Sequence, residues 1–438
     1  MNKFKGGIQI PERKHTKNIP IEEMPLPQQA VVPLSQHTGL PAKPVVKTGD
    51  FVKTGQLIAE ATAFISATLH SPVSGKITAI ESRLHPCGYN FDSIIIESDN
   101  KDETVEFKGK NPDKLFPNEI VEIIKNAGIV GLGGAAFPTH VKLSPPKEKK
   151  IDSVILNGCE CEPYLTCDYR VMLEETEKVF SGFNLVMKIL NTENGYIAIE
   201  DNKPEAIEKM NVIVKEMKQH PNPALPAKLK IVKLKTKYPQ GAEKQLIKAV
   251  LKREVPSSGL PMDVGCIVHN VQTAKAIHQA IYEGQPLYER IITVDGNVKR
   301  PGNLKVRIGT PLSQVLDYCG GFTDDVKKII AGGPMMGITQ FSLDVPVVKG
   351  MSGIVALTEK ESKHYEPTNC IRCGKCIDVC PTGLVPTLIS RLVEKKRYEE
   401  LKNYNPLDCI ECGCCAYECP AKIHLVQNIK LAKVMIQK

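Results

Sequence analysis

The chain lacks any apolar run long enough to cross a bilayer. Stretches such as Val31–Leu34 and Ile94–Ile96 stop far short of the ~20 residues that a spanning helix needs. It also opens without the apolar core of a signal peptide, since MNKFKGGIQIPERKHTK is charged, so a reducing cytoplasm is the expected compartment. No recognised nucleic-acid motif accompanies the net charge of +8, from 57 Lys plus Arg against 49 Asp plus Glu. Much of that excess sits in Lys-rich surface at 147–150 and 228–237, which reads as a solvated face suited to an acidic protein or anionic headgroups rather than to nucleic acid. No acid–base triad is visible either.

What the chain has instead is fifteen cysteines, eight of them in two matched runs. Cys370-x2-Cys373-x2-Cys376-x3-Cys380-Pro381 is followed by Cys409-x2-Cys412-x2-Cys415-x3-Cys419-Pro420. This spacing fits the ligand frame of a bacterial two-cluster ferredoxin. A tight C-x2-C-x2-C loop supplies three thiolates to a cubane, and in this pattern the fourth cysteine of each run serves the other cluster. Cys370, Cys373, Cys376 and Cys419 are therefore assigned to one [4Fe-4S] cluster, and Cys409, Cys412, Cys415 and Cys380 to the second. Zinc ribbons and disulfides are disfavoured, because zinc rarely takes four cysteines in this compressed order twice and no His joins either run. Cys414 is read as a spectator thiol.

Length allows about three domains, and the pattern along the chain resolves an arm and four modules. After an N-terminal arm (1–30), residues 31–110 alternate short apolar stretches with Gly and Pro turns, an all-β pattern. Val46–Gln56 with Ser71–Ile77 resembles the barrel-sandwich hybrid of biotinyl and lipoyl carriers. The intervening 63–70 has no lysine to modify, so the module is expected to be structural. Residues 111–286 alternate strands and helices, an α/β pattern: a helix capped by Asn118 and ended by Gly128, a strand at 154–156, a helix over 169–190, a strand at 196–199, a helix opened by Pro204, and strands near 230–234 and 266–268. Residues 287–360 read as a hairpin, a strand and a short helix, resembling the soluble-ligand-binding β-grasp module. Residues 361–438 form an α-helical, ferredoxin-like domain. The fold class is thus multidomain α/β.

Gly131-Leu132-Gly133-Gly134-Ala135-Ala136 satisfies G-x-G-x-x-A, yet it follows a helix and leads into Phe137-Pro138, whereas a Rossmann fingerprint follows a strand and opens a helix. Its small residues still let backbone approach a flat ring or a phosphate, and Lys142 can add a charge-assisted contact. A glycine-rich turn with no ligand is the plain alternative. Asn157-Gly158-Cys159-Glu160-Cys161-Glu162 leaves the carboxyl end of a strand, where α/β folds bind ligands. Asn157 can bond a ring edge, and Glu160 and Glu162 can accept from hydroxyls or a carboxamide. Cys159, Cys161 and Cys167 are read as packing residues.

Gly131–Lys142 resembles the flavin-binding loop of the NADH-oxidising flavoprotein subunit of respiratory complex I, with Leu132 where that family has Arg. Asn157–Pro163, Tyr238–Leu246 and His269–Thr273 resemble its other flavin and nicotinamide segments, with Ala242 where that family has Glu. From Gly6-Gly7-Ile8 through both cysteine runs, the whole chain resembles the RnfC component of Rnf ion-translocating electron-transport complexes. That resemblance implies FMN among Gly131, Gly133, Gly134, Lys142, Asn157, Asn270 and Thr273, with NADH facing Phe137, Glu160, Glu162 and Glu243. It implies a peripheral NADH:ferredoxin oxidoreductase component on the cytoplasmic face of a bacterial membrane, working with membrane and flavoprotein subunits that hold the ion pump, and with ferredoxin as the ultimate partner. Cobalamin reductases of bacterial microcompartments share the layout and are the alternative. NADH gives up two electrons and a cubane moves one, so a flavin between them would bridge the mismatch.

Overall fold

The computed structural model describes residues 4–219 and 228–437. The N-terminal module is a sandwich of two sheets. One pairs Gln29–Pro33, Asn90–Ser98, Gly75–Leu84 and Phe51–Val52, and the other pairs Lys43–Pro44, Leu57–Glu60 and Leu69–His70. Ile94 and Ile96 enter the sandwich core with Val32, Ile58 and Ile77, while Ile95 between them is equally buried. A strand buried on both faces needs the unbroken apolar run seen there.

The central module carries a four-stranded parallel sheet in the order Lys228–Leu234, Asn194–Glu200, Ser153–Gly158, Cys266–Asn270. Val154 and Leu156 face one helical layer that includes Phe183 and Ile277. Ile155 faces the other, against Leu246 and Ile247 of the helix Glu243–Leu251. The two strands at one edge end side by side, with Asn157 opposite Asn270 in register.

Two helices differ from expectation. Asn118 does not cap the first helix, which runs Pro117–Asn126 with Phe116 at the cap. Pro117 fits the first helical position, and the Glu119 carboxylate accepts from the Phe116 amide at 2.7 Å, which leaves Asn118 inside the first turn. The helix expected over 169–190 is two, Cys167–Glu174 and Thr176–Ile189. At the break the Thr176 hydroxyl donates to Met172 O at 2.7 Å, and Glu175 leaves helical geometry with φ −124°.

The third module is a six-stranded mixed sheet built on the antiparallel hairpin Glu289–Gly296 and Gly302–Arg307, with the helix Leu312–Tyr318 beside it. The last module packs the helices Pro386–Glu394 and Leu425–Gln437 over Leu384, Ile389, Leu401 and Ile429. Among the described residues no helix is long and apolar enough to cross a membrane.

The N-terminal arm is a strap that touches three of these modules. Ile21–Glu23 adds a parallel edge strand to Gly302–Arg307 of the third. Ile8 exchanges backbone hydrogen bonds with Tyr238 of the second, and the Gly7 amide donates to Val379 O of the last. Gly6 sits at φ +71°, where a Cβ would lie 2.5 Å from Cys380 O, so only glycine fits against that turn. Further along, the Lys14 ammonium donates to Glu160 O (2.8 Å), Glu162 O (2.8 Å) and Leu165 O (2.5 Å). Enclosure lowers the pKa of this amine, and the Glu160 carboxylate works against that shift.

Removing Lys14 would strand three inward carbonyls together. Lys14→Met is expected to destabilise the holoprotein by about 3 kcal/mol, read as a drop in the thermal midpoint. A midpoint equal to wild type would show that the strap is not fixed at this point.

Candidate functional site

The two cysteine runs follow the same backbone path. Arg372 (φ +57°) and Gly374 (φ +77°) bracket Cys373, and Glu411 (φ +58°) and Gly413 (φ +79°) bracket Cys412. Each pair of left-handed residues turns the loop back on itself and starts a short helix, Lys375–Asp378 or Cys414–Glu418. The result is a pair of cavities lined by crossed sets of thiols. Cys370, Cys373, Cys376 and Cys419 line one. Cys409, Cys412, Cys415 and Cys380 line the second, narrower one. Neither lining contains His, Asp or Glu, so the donor set fits cubane clusters and gives zinc no mixed ligand set. Cys414 lines neither cavity and is packed against Ile8, Tyr238 and Cys412.

The glycine loop forms a ledge at the carboxyl end of the central sheet. Its base is pinned: Leu132 N donates to Thr273 Oγ1 at 2.9 Å, and Gly131 N donates to Phe137 O at 2.8 Å. Its top, Gly133 to Ala135, is exposed. At Gly134 φ is +112°, and a Cβ would meet nothing within 4 Å, so the loop faces open space there. A Cβ on Gly133 would lie 3.4 Å from Cβ of Asn270. Asn270 is held by its neighbours, accepting from Gln272 N (2.8 Å) as a helix cap and donating to Asp168 (2.6 Å). This cradle of exposed backbone and small residues fits a flat aromatic ring.

Lys142 and Glu243 meet beside the ledge at 2.6 Å, and Lys142 also donates to Val268 O. The lysine expected to meet phosphate thus has a carboxylate partner in the protein, and Glu243 is half-buried against it. Phe137 is partly buried at the end of the loop. Asn157 donates to Gly241 O at 2.8 Å and accepts from Cys159 N at 3.2 Å, which ties the strand end to the Tyr238–Glu243 segment.

The acidic pair behaves differently from expectation. Glu160 accepts from the amides of Asp168 (2.7 Å) and Tyr169 (3.2 Å), capping the helix Cys167–Glu174. Glu162 accepts from the amides of Met335 (3.0 Å) and Met336 (2.9 Å) in the third module. Burial pushes both carboxyls up to about 7. Acids in so enclosed a loop need donors, and the protein supplies them, so neither side chain is presented on the ledge. Glu160 reaches Asn270 only through Asp168. Glu160, Cys167 and Asp168 bring their ligand atoms within 4.8 Å of one another, but backbone amides, Asn270 and Gln272 already fill the two carboxylates. Cys159 and Cys167 are buried with raised pKa values, and burial pushes Cys161 up to about 12, so all three are neutral packing thiols.

Three contributors lie outside the expected site residues. Arg290, fully buried, comes from the third module and donates to Leu132 O at 3.1 Å, beneath the ledge. Tyr238 donates its hydroxyl to Cys412 O at 2.8 Å, and Gln245 donates to Pro381 O at 3.2 Å. The second cysteine run is therefore docked on the segment that also borders Asn157 and Lys142. That makes the Cys380, Cys409, Cys412, Cys415 cavity the inner one. The other is the outer, with Cys370 and Cys373 exposed.

Two substitutions test this geometry. Gly133→Leu fills the exposed ledge without entering a core and is expected to weaken FMN retention at least about ten-fold while moving stability by no more than about 1 kcal/mol, measured by flavin titration and thermal melting. Cys380→Ala is expected to lower bound iron from about eight atoms to about four by removing the cluster of the Cys409 run. An intact spectrum from that cluster would refute the crossed pairing.

Comparison with known proteins gives the same order of parts. Residues 2–101 match the RnfC barrel sandwich hybrid domain, 124–279 the Nuo51 FMN-binding domain, 291–339 the SLBB domain and 362–420 the 4Fe-4S dicluster domain. The corresponding subunit of the proton-translocating ferredoxin:NAD(+) oxidoreductase complex of Clostridium ljungdahlii is 48% identical over 91% of this chain and 86% of its own length. Its counterpart in the Na(+)-translocating ferredoxin:NAD(+) oxidoreductase complex of Acetobacterium woodii is 47% identical over 98% and 96%. A chain of an NAD+-reducing [NiFe]-hydrogenase superposes with a TM-score of 0.51 over 73% of this chain and 64% of its own, at 16% identity, a likeness of fold alone. With relatives this similar along nearly the whole length, the chain belongs to the RnfC family of subunits of ion-translocating ferredoxin:NAD(+) oxidoreductase complexes.

Proposed function

We propose that the chain is the NAD(H)-facing electron-transfer subunit of such a complex, peripheral to the membrane on its cytoplasmic face. One junction carries this reading: Tyr238 bonds the Cys412 carbonyl, and the segment it opens bonds Asn157 at the strand end beside the ledge. A flavin site and an iron–sulfur site share a wall there. When bound, FMN exchanges hydride with NADH and single electrons with clusters.

The chain's own residues hold and orient those groups. Gly131, Gly133 and Gly134 offer backbone to the ring, with Thr273 and Arg290 fixing the loop from below. Lys142 supplies the cation for the phosphate, in exchange for Glu243, and Asn157 and Asn270 edge the ring. Phe137 and Glu243 form the nicotinamide side. Glu160 and Glu162 act at one remove, by fixing the helix Cys167–Glu174 and the Met335–Met336 turn around it. The inner thiol set would hold the cluster nearer the flavin side and the outer set the cluster nearer the surface, from which electrons would pass to the membrane and flavoprotein subunits, with ferredoxin as the ultimate partner.

Ion movement belongs to other subunits in this reading. Two relatives at 48% and 47% identity are named for different ions, protons and Na(+), which favours a choice of ion outside this chain. The corrinoid alternative has no comparable support among these relatives.

The test is anaerobic purification followed by NADH addition. About eight iron atoms and about one flavin per chain are expected, with bleaching of the flavin band and reduced-cluster EPR signals. No bleaching with FMN reconstituted would overturn the proposal.

A further inference from the structure

The outer thiol cavity opens onto a surface with an unusual composition. Its mouth carries Ile371, 68% exposed, and Ile377, 40% exposed. Large aliphatic side chains left open at a concave site mark a contact surface when they are ringed by polar groups. Here the ring is cationic. Arg372 and Arg391 line the same mouth, Lys375 opens the helix beside it, and Lys422 follows Cys419 by three positions.

Four other cations of the module are paired with carboxylates. Arg397 pairs with Glu400, Lys402 with Glu399 at 3.1 Å, and Lys430 and Lys433 with Glu411 at 3.3 and 2.7 Å. No carboxylate lies within ion-pair distance of Arg372, Lys375, Arg391 or Lys422 among the described residues. Lys422 instead lies 5.3 Å from the ring of Tyr365, itself half exposed. Lys363, Lys395 and Lys396 also lack an ion pair among the described residues, so what sets the four apart is their place beside the outer cavity, where no carboxylate offsets them.

Building on the electron-transfer reading above, we infer that this face docks an acidic redox protein whose own electron-carrying group sits near its surface. The aliphatic centre excludes water over the outer thiol set and brings the two redox groups close. The unpaired cations steer a partner of opposite charge and set its orientation. The occupant is a protein and not a polyanion such as RNA, because the cavity beneath is built for an electron carrier and only a redox partner gains from contact there. One NADH yields NAD+ and a proton, and its two electrons reduce two one-electron partner groups in two separate encounters.

Cytochrome b5, a small acidic haem protein, serves as probe, with basic cytochrome c as its counterpart. The anaerobic holoprotein is mixed with NADH and haem reduction is followed across a salt series. Wild type is expected to reduce cytochrome b5 at a rate that falls steeply as salt rises, since exposed charges are screened beyond about 10 Å at 0.1 M. The variant Arg391→Glu with Lys422→Glu should lose about ten-fold of that rate at low salt, flatten the salt slope and favour cytochrome c. Arg372→Glu with Lys375→Glu should do the same, and the first pair guards against cluster loss from changes beside Cys373.

Flavin bleaching by NADH and iron content are measured on the same samples. If bleaching fails in wild type, the electron-transfer reading falls and not the docking face alone. If bleaching and iron are intact but cytochrome b5 reduction ignores both salt and charge reversal, the docking proposal falls. A variant that shifts the midpoint potential of the outer cluster with an unchanged salt slope would show that the cations only offset cluster charge. Loss of binding to anionic phosphatidylglycerol vesicles with an unchanged cytochrome b5 rate would make this a membrane face.

Discussion

The ammonium of Lys14, set on three carbonyls of the Glu160–Leu165 segment, is the interaction on which the rest of the architecture turns. That segment leaves the carboxyl end of a central strand and must thread between modules while enclosing two carboxylates and the thiol of Cys161. Inward-facing carbonyls cost free energy unless a donor meets them, and a single cation here meets three. With the segment so fixed, Glu160 caps the next helix, Glu162 grips the Met335–Met336 turn, and Tyr164 and Leu165 pack on Val355 and Leu357. Two modules and the arm are thereby registered around one loop.

The consequence is a graded exposure from the ledge to the two thiol sets. The ledge lies open at Gly133 to Ala135, the inner thiol set is packed against the wall that Tyr238 builds, and the outer set emerges at the surface. Small and apolar residues surround the inner set, with Ile8 and Cys414 filling the space beside Cys412. The outer set has no such cover. The ledge and the outer thiol set therefore lie on different modules, joined through the contacts of Tyr238 and Asn157.

What could be read in advance follows from the range of each interaction. Cysteine spacing is local chemistry, so the two runs were legible residue by residue, and the thiols of each expected set line one cavity. The parallel strands showed as apolar runs at 154–156 and 266–268, and the ledge as a cluster of glycines. Helix ends were less legible, since the first one depends on whether Pro117 or Asn118 opens the turn, and Thr176 breaks a periodic stretch by bonding its own backbone. The roles of Glu160 and Glu162 were hidden because a carboxylate that binds ligand and one that binds backbone amides look alike in sequence. Arg290 under Leu132 and Tyr238 on Cys412 join residues 158 and 174 positions apart, and no pattern along the chain announces such pairs.

The strap has a bearing on how the molecule is made. Arg13 bonds Glu361 across 348 positions, and Gly6 lies against the turn that holds Cys380. During synthesis the strap can settle on the second and third modules as they fold, but its contacts at Gly6, Gly7 and Arg13 wait for the final module. Gly6 packs on the backbone of Cys380, a thiol of the inner set, so the seating of the strap and the order of that turn depend on each other. A stretch far from the final module in sequence thus closes onto it, and disorder at the Cys380 turn would leave that stretch loose and open to proteases.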